Sequence, residues 1–524
     1  MYNTFKHLLR FGIKSKVLKS EIRKLDFDYL KKTNEYATTS KSTLDEVTWN
    51  DMNMNSVFQS INYTSTSAGE EVLYSWLRNP LDNVGDYKNR ISLINHLELA
   101  VMSTSKMKLA FEKVGYCKYH LKEIMESKYE SNKWMSLLHI LLSLANLMIL
   151  INLFISGVST ITGIIFVLFP INIFLHYNFK EKYGSQLEVL QYTIKLINFC
   201  KSNIDEIRDV SPALASQISQ ITNRLKSISK KEISVFKAEG LDLFADYINI
   251  TFLIKEISYF SIAGKVQNLK IDINELYDNV GSLDAAISVI TYRQNLALYC
   301  EPNFNNNYEN IVAEEVYHPL LLAPVPNTIN ISSAIAITGS NMSGKSTFLR
   351  TLGLNVILAQ SICTCLAKKY EAKFYRLITS ISLNDTILES KSYFLMEAEA
   401  IKRMLDLKDN EYPTLILIDE IFKGTNPIER YAASMEILNN LEEGNTKVIV
   451  ATHDLNILPE LKGYEFYYFT ENVSSKSLEF DFKLRSGTAT SRNAVKILEY
   501  VKYPSDLVIK INLRISSMEV ESLE

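Results

Sequence analysis

Cysteine, proline and glycine are all scarce in this chain of 524 residues, which has 5, 11 and 17 of them. The cysteines, Cys117, Cys200, Cys300, Cys363 and Cys365, fall in no paired-knuckle spacing. A disulfide scaffold is thereby excluded and buried reduced thiols are expected. Neither sign of charge dominates: 56 basic residues face 59 acidic ones, a net of -3. The chain as a whole therefore exerts no pull on phosphate, and any contact with nucleic acid must come from a local patch. Hydrophobic residues make up 47% and charged residues 22%, which excludes wholesale disorder. The length implies about three folding units.

The most informative absence is local. From Trp134 to Phe179 there is no Asp, Glu, Lys or Arg. A bilayer core takes ~20 apolar residues per helix, so this stretch has the length of two crossings. Ile155-Ser-Gly-Val-Ser-Thr160 divides it, which predicts spans at about 134–154 and 158–177. Lys122, Lys128 and Lys133 before it, and Lys180 and Lys182 after it, predict that both soluble parts lie in the cytoplasm. The expected location is the cytoplasmic membrane, with two spans. Residues 1–35 scatter Lys6, Arg10, Lys14, Lys16, Lys19, Arg23 and Lys24 among apolar residues, without the uninterrupted run of a signal peptide. They read either as a solvated basic helix or as one lying on anionic lipid.

The soluble parts differ in pattern. Residues 50–130 read as helical, with a turn at Asn79-Pro80. From Leu187 the positions Leu190, Ile194, Ile197, Ile204 and Ile207 keep a period near 3.5, which predicts a long helix ended by Asp209-Val-Ser-Pro212. Beyond residue 310, β-rich runs at Ala334–Ile337, Thr414–Ile418 and Lys447–Ala451 alternate with helical ones, the signature of a mainly parallel sheet between helices. The predicted units are a basic segment (1–49), a helical core (50–130), a transmembrane hairpin (131–180), a helical lever (181–305) and an α/β nucleotide domain (306–524). The fold class is multidomain α plus α/β.

Three stretches carry chemistry. Gly339-Ser340-Asn341-Met342-Ser343-Gly344-Lys345-Ser346-Thr347 matches G-x-x-x-x-G-K-[ST] between a strand and a helix. Its backbone N–H groups can cradle the phosphates of ATP, Lys345 can neutralise them, and the Ser346 hydroxyl can coordinate magnesium. Thr414–Asp419 is an apolar strand that delivers Asp419 to hold magnesium, and Glu420 to act as base toward a water. Val448–Thr452 delivers His453 to the same edge, where it can sense the γ-phosphate or the water.

Together these stretches resemble the ATPase domain of the MutS mismatch-repair family. Ile337-Thr-Gly-Ser-Asn-Met-Ser-Gly-Lys-Ser-Thr347 looks like that family's loop, Asp419-Glu-Ile-Phe-Lys-Gly-Thr425 is similar to its Asp-Glu-Ile-x-x-Gly-Thr, and Ala451-Thr-His453 to its Ala-Thr-His. His318-Pro319, Val325-Pro-Asn327 and Thr64–Pro80 also resemble family segments. The resemblance implies a homodimer formed through the ATPase domains, in which Ser392 reaches the partner's nucleotide in trans. It also implies levers that pass the ATP cycle to DNA. The glycine usual before that serine is replaced here by Ser390-Lys391, and no Phe-x-Glu mismatch wedge stands in the first 50 residues. The leading expectation is a membrane-anchored MutS-like ATPase that acts on DNA. The alternative is a nucleotide-switched membrane scaffold that binds protein partners only.

Overall fold

The computed structural model describes residues 25–521, apart from 37, 131, 159, 230–241, 341, 382–392, 423–425, 474–477, 489–494, 496–497 and 499. Most of the N-terminal basic segment, together with Asn341, Ser392 and Gly424-Thr425, lies outside the described residues.

Described residues up to Asn295 are helical, and sheet begins after them, so the protein is a mixed helical and α/β structure. The helices that position the site are α1 (Glu46–Asp51), α2 (Ser67–Arg78), α3 (Lys133–Ser156), α4 (Ile165–Ser202), α5 (Asp242–Phe252) and α6 (Ile254–Asn295). Helix α2 starts sharply because Thr66 accepts the Gly69 N–H, and Asp284 of α6 accepts from Ser65 and Thr66. The two helices pack closely: a Cβ on Gly281 would sit 2.5 Å from the Ala68 carbonyl oxygen. A larger residue there would push α6 off α2.

The charge-free stretch departs from expectation. Helix α3 ends at Ser156 with Gly157 in a left-handed cap (φ 70), at the turn the sequence predicted. It is the one described helix long and apolar enough to cross a membrane. The expected second span, 158–177, is not a helix of its own. A short turn of helix, Thr160–Gly163, is followed by α4, which starts at Ile165 and runs on to Ser202. Only the first 15 residues of α4 precede Lys180, and Pro170 removes one backbone N–H from them. The two-span hairpin is thus replaced by one apolar helix and one long helix that begins apolar and continues charged. The predicted stop at Asp209–Pro212 is corrected too: α4 breaks at Asn203, and separate helices follow at Ile204–Val210 and Pro212–Arg224.

Helix α3 has the opposite polarity to that of a water-soluble helix. Its buried positions are His139, Asn146 and Ile149, while Leu141, Leu144, Met148, Ile151 and Phe154 are exposed. Asn146 and Asn172 of α4 both donate to the Thr251 carbonyl oxygen, at 2.8 and 2.9 Å. That oxygen lies at the break between α5 and α6, where Leu253 is left-handed (φ 49). The two asparagines therefore occupy an acceptor close to where the helix ladder is interrupted.

The α/β region is built on strands β1 (Ala334–Thr338), β2 (Arg376–Ser380), β3 (Thr414–Asp419), β4 (Thr446–Thr452), β5 (Tyr464–Tyr468) and β6 (Arg485–Ser486). They lie in the order β6-β5-β1-β4-β3-β2, all parallel except β6. Strands β1 and β3 are buried along their whole length, as the continuous apolar runs predicted for strands covered on both faces. Helix α7 (Lys345–Ile362) packs on one face, and α8 (Tyr393–Leu405), α9 (Pro427–Glu442) and α10 (Ser505–Glu521) are further helices of this region.

Candidate nucleotide-binding site

Strand β1 ends at Thr338, and the chain turns through Gly339 (φ 146) and Gly344 (φ 107) into α7. Both glycines are required by their surroundings. A Cβ on Gly339 would lie 2.8 Å from the Phe469 carbonyl oxygen, and one on Gly344 would lie 3.1 Å from the Phe482 ring. The loop between them surrounds the Lys345 ammonium, which donates to the carbonyl oxygens of Gly339 (2.7 Å) and Ser340 (2.9 Å). Met342 is left-handed and exposed, Ser346 is half-buried and Thr347 is exposed at the first turn of α7. The Ser343 hydroxyl is buried without a hydrogen-bond partner, inside a loop whose helix-start N–H groups favour anions. An orphan hydroxyl in such a cradle fits a phosphate.

The carboxylates arrive as the strand pattern predicts. Asp419 is the last residue of β3 and is buried, paired in register with Ala451 of β4. Glu420 follows in a left-handed conformation (φ 60), held by its N–H to the Ala451 carbonyl oxygen at 2.9 Å. This uncommon backbone turns its side chain back toward β4. There His453 Nδ1 lies 2.8 Å from Glu420 Oε1, so one strand fixes both the backbone and the carboxylate of Glu420. His453 is half exposed, at 52%, and stands at the mouth of a cavity of about 270 Å³ lined also by Arg430 and Asp454.

A second cavity, of about 250 Å³, adjoins the loop. His318, Val325, Asn327, Thr347 and Phe482 line it, so the His318-Pro319 and Val325–Asn327 segments reach the site from a separate small sheet. The Asn327 side chain donates to the Phe482 carbonyl oxygen (3.0 Å) and accepts the Leu484 N–H (2.8 Å), pinning the Phe482 ring over the loop. Burial, with nearby Arg350 adding to it, pushes the His318 imidazole down to about 4, so it is neutral at pH 7.

Two residues with no motif of their own tie the helical part to this site. Asp51 of α1 is buried, and its Oδ2 accepts the Thr379 hydroxyl (2.6 Å) and the Ile381 N–H (2.9 Å) at the end of β2. Its carbonyl oxygen takes the Arg350 Nε–H of α7 at 3.0 Å. At the other end of α7, Arg293 of α6 donates to the Cys363 carbonyl oxygen (2.6 Å) and the Thr364 hydroxyl (2.8 Å). The helix that follows the phosphate loop is thus gripped near both ends by the helical region. An acidic residue just before a helix break (Asp51) and an arginine in the last turn of a long helix (Arg293) are weak signals, and sequence alone does not distinguish them from solvated positions. Among the described residues no group of three or more His, Cys, Asp or Glu side chains is arranged to hold a metal. A magnesium site of the predicted kind needs only Asp419 and Ser346 from the protein, with phosphate and water supplying the other ligands.

A strand–loop–helix phosphate cradle with an adjoining Asp-Glu and His edge defines a P-loop nucleotide domain, and comparison with known proteins narrows it. Residues 335–519 match the family profile described as MutS domain V. The chain is similar to Endonuclease MutS2 of Streptococcus thermophilus, 34% identical over 205 residues, which is 38% of this chain and 24% of that protein. It is similar to Endonuclease MutS2 of Streptococcus suis (34% over 214 residues, 38% of this chain and 26% of that one) and of Streptococcus agalactiae (31% over 241 residues, 42% and 30%). The match thus spans 24–30% of each relative. The likeness to the MutS family thus lies in residues 335–519, the part that matches its domain V.

Proposed function

We propose that the protein is a MutS-type ATPase, held at a membrane by its apolar helix α3, that uses ATP binding and hydrolysis to move a helical lever acting on DNA. The observation that carries the catalytic part is the Glu420–His453 pair beside the Gly339–Ser346 cradle. ATP is the substrate, with its phosphates along residues 339–347 and its base toward the cavity beside His318 and Phe482. Magnesium, held by Ser346 and Asp419, supplies charge neutralisation at the phosphates. Glu420 accepts the proton of the attacking water, and His453 holds the carboxylate in place until nucleotide arrives. The reading includes a homodimer through the ATPase domains with Ser392 contributed in trans. Closure of that pair passes to the helical region through Asp51 and Arg293.

The membrane part is supported by the inverted polarity of α3: polar residues buried, leucines, isoleucine, methionine and phenylalanine outward. A helix in water keeps the reverse arrangement. Trp134, exposed at the start of α3, stands where an interface would lie.

One experiment tests the function as a whole. The full chain, purified in detergent, is assayed for ATP turnover alone and with plain, branched or mismatched duplexes over a range of salt. Stimulation that fades as salt rises supports action on DNA, through the release of counterions. Turnover indifferent to every duplex, with protein partners recovered only in the ATP state, favours the scaffold reading instead. For the membrane part, Leu141→Glu combined with Leu144→Glu should release the protein from membranes, since each buried charge costs about 3 kcal/mol at a bilayer centre. Unchanged sedimentation with membranes would contradict it.

A further inference from the structure

Helices α4, α5 and α6 leave a groove of about 840 Å³ between them, opened where the α5–α6 break at Leu253 displaces one helix from the next. It follows α4 from Phe169 to Asn198, ~44 Å at 1.5 Å per residue. Its lining is graded. Phe169, Ile173, Ile250 and Ile254 form an apolar end level with the outward apolar residues of α4. Lys180 and Lys255 follow at the level where α4 turns charged, and Lys195 lies further along. Glu188 also lines this stretch, and its Oε1 accepts the Lys118 N–H.

Two further observations indicate that the groove is built for an occupant. Glu256, wholly buried between the apolar end and Lys180, has Oε1 2.7 Å from His176 Nδ1, while Oε2 has no hydrogen-bond partner. A buried carboxylate oxygen without a donor is costly unless something supplies one. The second is Gly184, in the interior of α4 on the groove wall. Glycine there costs about 1 kcal/mol against alanine. A Cβ would meet nothing nearer than Lys180 Cγ at 3.7 Å, so packing within the chain does not demand the glycine, and its effect is to keep the groove open.

We infer that the groove is a binding site for an anionic phospholipid drawn from the membrane. An acyl chain lies along Phe169 and Ile173, a glycerol or headgroup hydroxyl donates to Glu256, and the phosphate meets Lys180 and Lys255. The inference rests on the membrane reading above and adds to it a specific lipid. It also gives the lipid a route to the nucleotide site. The bound molecule sits at the hinge where α6 begins, and the last turn of α6 holds the end of α7 through Arg293.

The test uses the full chain in detergent, with native mass spectrometry after addition of phosphatidylglycerol or phosphatidylcholine. One retained phosphatidylglycerol is expected, with phosphatidylcholine retained at least tenfold less. Gly184→Leu, which fills the groove and raises helix propensity, should abolish retention while leaving the melting temperature unchanged or higher. Lys180→Glu with Lys255→Glu should reduce it at least tenfold. Equal retention of the two lipids, or retention indifferent to Gly184→Leu, would overturn the proposal. Co-sedimentation of the same variants with vesicles of phosphatidylcholine alone separates the two readings. Variants that pellet but retain no phosphatidylglycerol leave the anchoring intact, and a wild-type chain that fails to pellet removes the anchoring with the lipid site.

Discussion

Asp51 offers the sharpest structural prediction, because one of its buried oxygens takes two donors from the nucleotide domain. Its Oδ2 receives both the Thr379 hydroxyl and the Ile381 N–H. Asp51→Ala removes the acceptor and leaves two buried donors unpaired. Each costs roughly 1–3 kcal/mol, and loss of hydrogen bonds to a charged group lies at the upper end, so about 3–5 kcal/mol is expected. For a unit of about 200 residues this lowers its melting transition by roughly 10 °C. Asp51→Asn keeps an oxygen with two lone pairs at the same place and should cost about 1 kcal/mol, the charge assistance alone. The assay is thermal unfolding of wild type and both variants, with the nucleotide-domain transition followed by the stabilisation that ATP gives it. Equal shifts for the two variants would refute the reasoning, as would an alanine cost under 1 kcal/mol. The same variants report on coupling: Asp51→Ala should weaken any duplex stimulation of turnover more than it weakens ATP affinity.

Three further outcomes are expected. Lys345→Ala should abolish ATP binding measured by calorimetry, since it deletes the ammonium held by the loop carbonyls; unchanged affinity would exclude this site. His318 has an imidazole held near 4 in the folded chain against about 6.5 when unfolded, so the unfolded state binds the extra proton between those values. Stability from this residue is therefore complete above pH 6.5 and is lost as pH falls toward 4, by roughly 3 kcal/mol. His318→Phe should flatten that part of the stability profile, and an identical profile would show that the ring titrates freely. Asn146→Leu, which leaves Thr251 with one of its two side-chain donors, should cost about 1–2 kcal/mol by thermal unfolding in detergent, and a neutral result would mean that the break is not held from α3.

Much of the nucleotide domain was legible in the sequence because its signals are local. Apolar runs that end in Asp419 and Thr452 can hardly be anything but buried parallel strands, and the glycines at 339 and 344 sit where only a left-handed or crowded backbone would need them. The 3.5-residue period also announced a long helix through Leu187 and Ile197. Its ends were misread because nothing in the pattern marks Asn203 as a break or Ile165 as a start. Counting uncharged residues predicted two spans. The count ignored Gly163 and Pro170, and it ignored that a helix can pass from apolar to charged surroundings without stopping. What could not be read at all depends on partners far apart in the chain. Asp51 meets Thr379, Asn146 meets Thr251 and Arg293 meets Cys363, and no periodicity connects such pairs. The strand-end pattern behind the phosphate loop supplied roles for Glu420 and His453, whereas the contact between their side chains became visible only in three dimensions.

The central claim is that residues 339–347, Asp419, Glu420 and His453 form one ATP-hydrolysing site. Its most direct measurement is the fate of radiolabelled ATP on Glu420→Gln. The account predicts near-normal binding with release of phosphate slowed at least a hundredfold, because the cradle remains while the proton acceptor is gone. Phosphate released by that variant at the wild-type rate would contradict it.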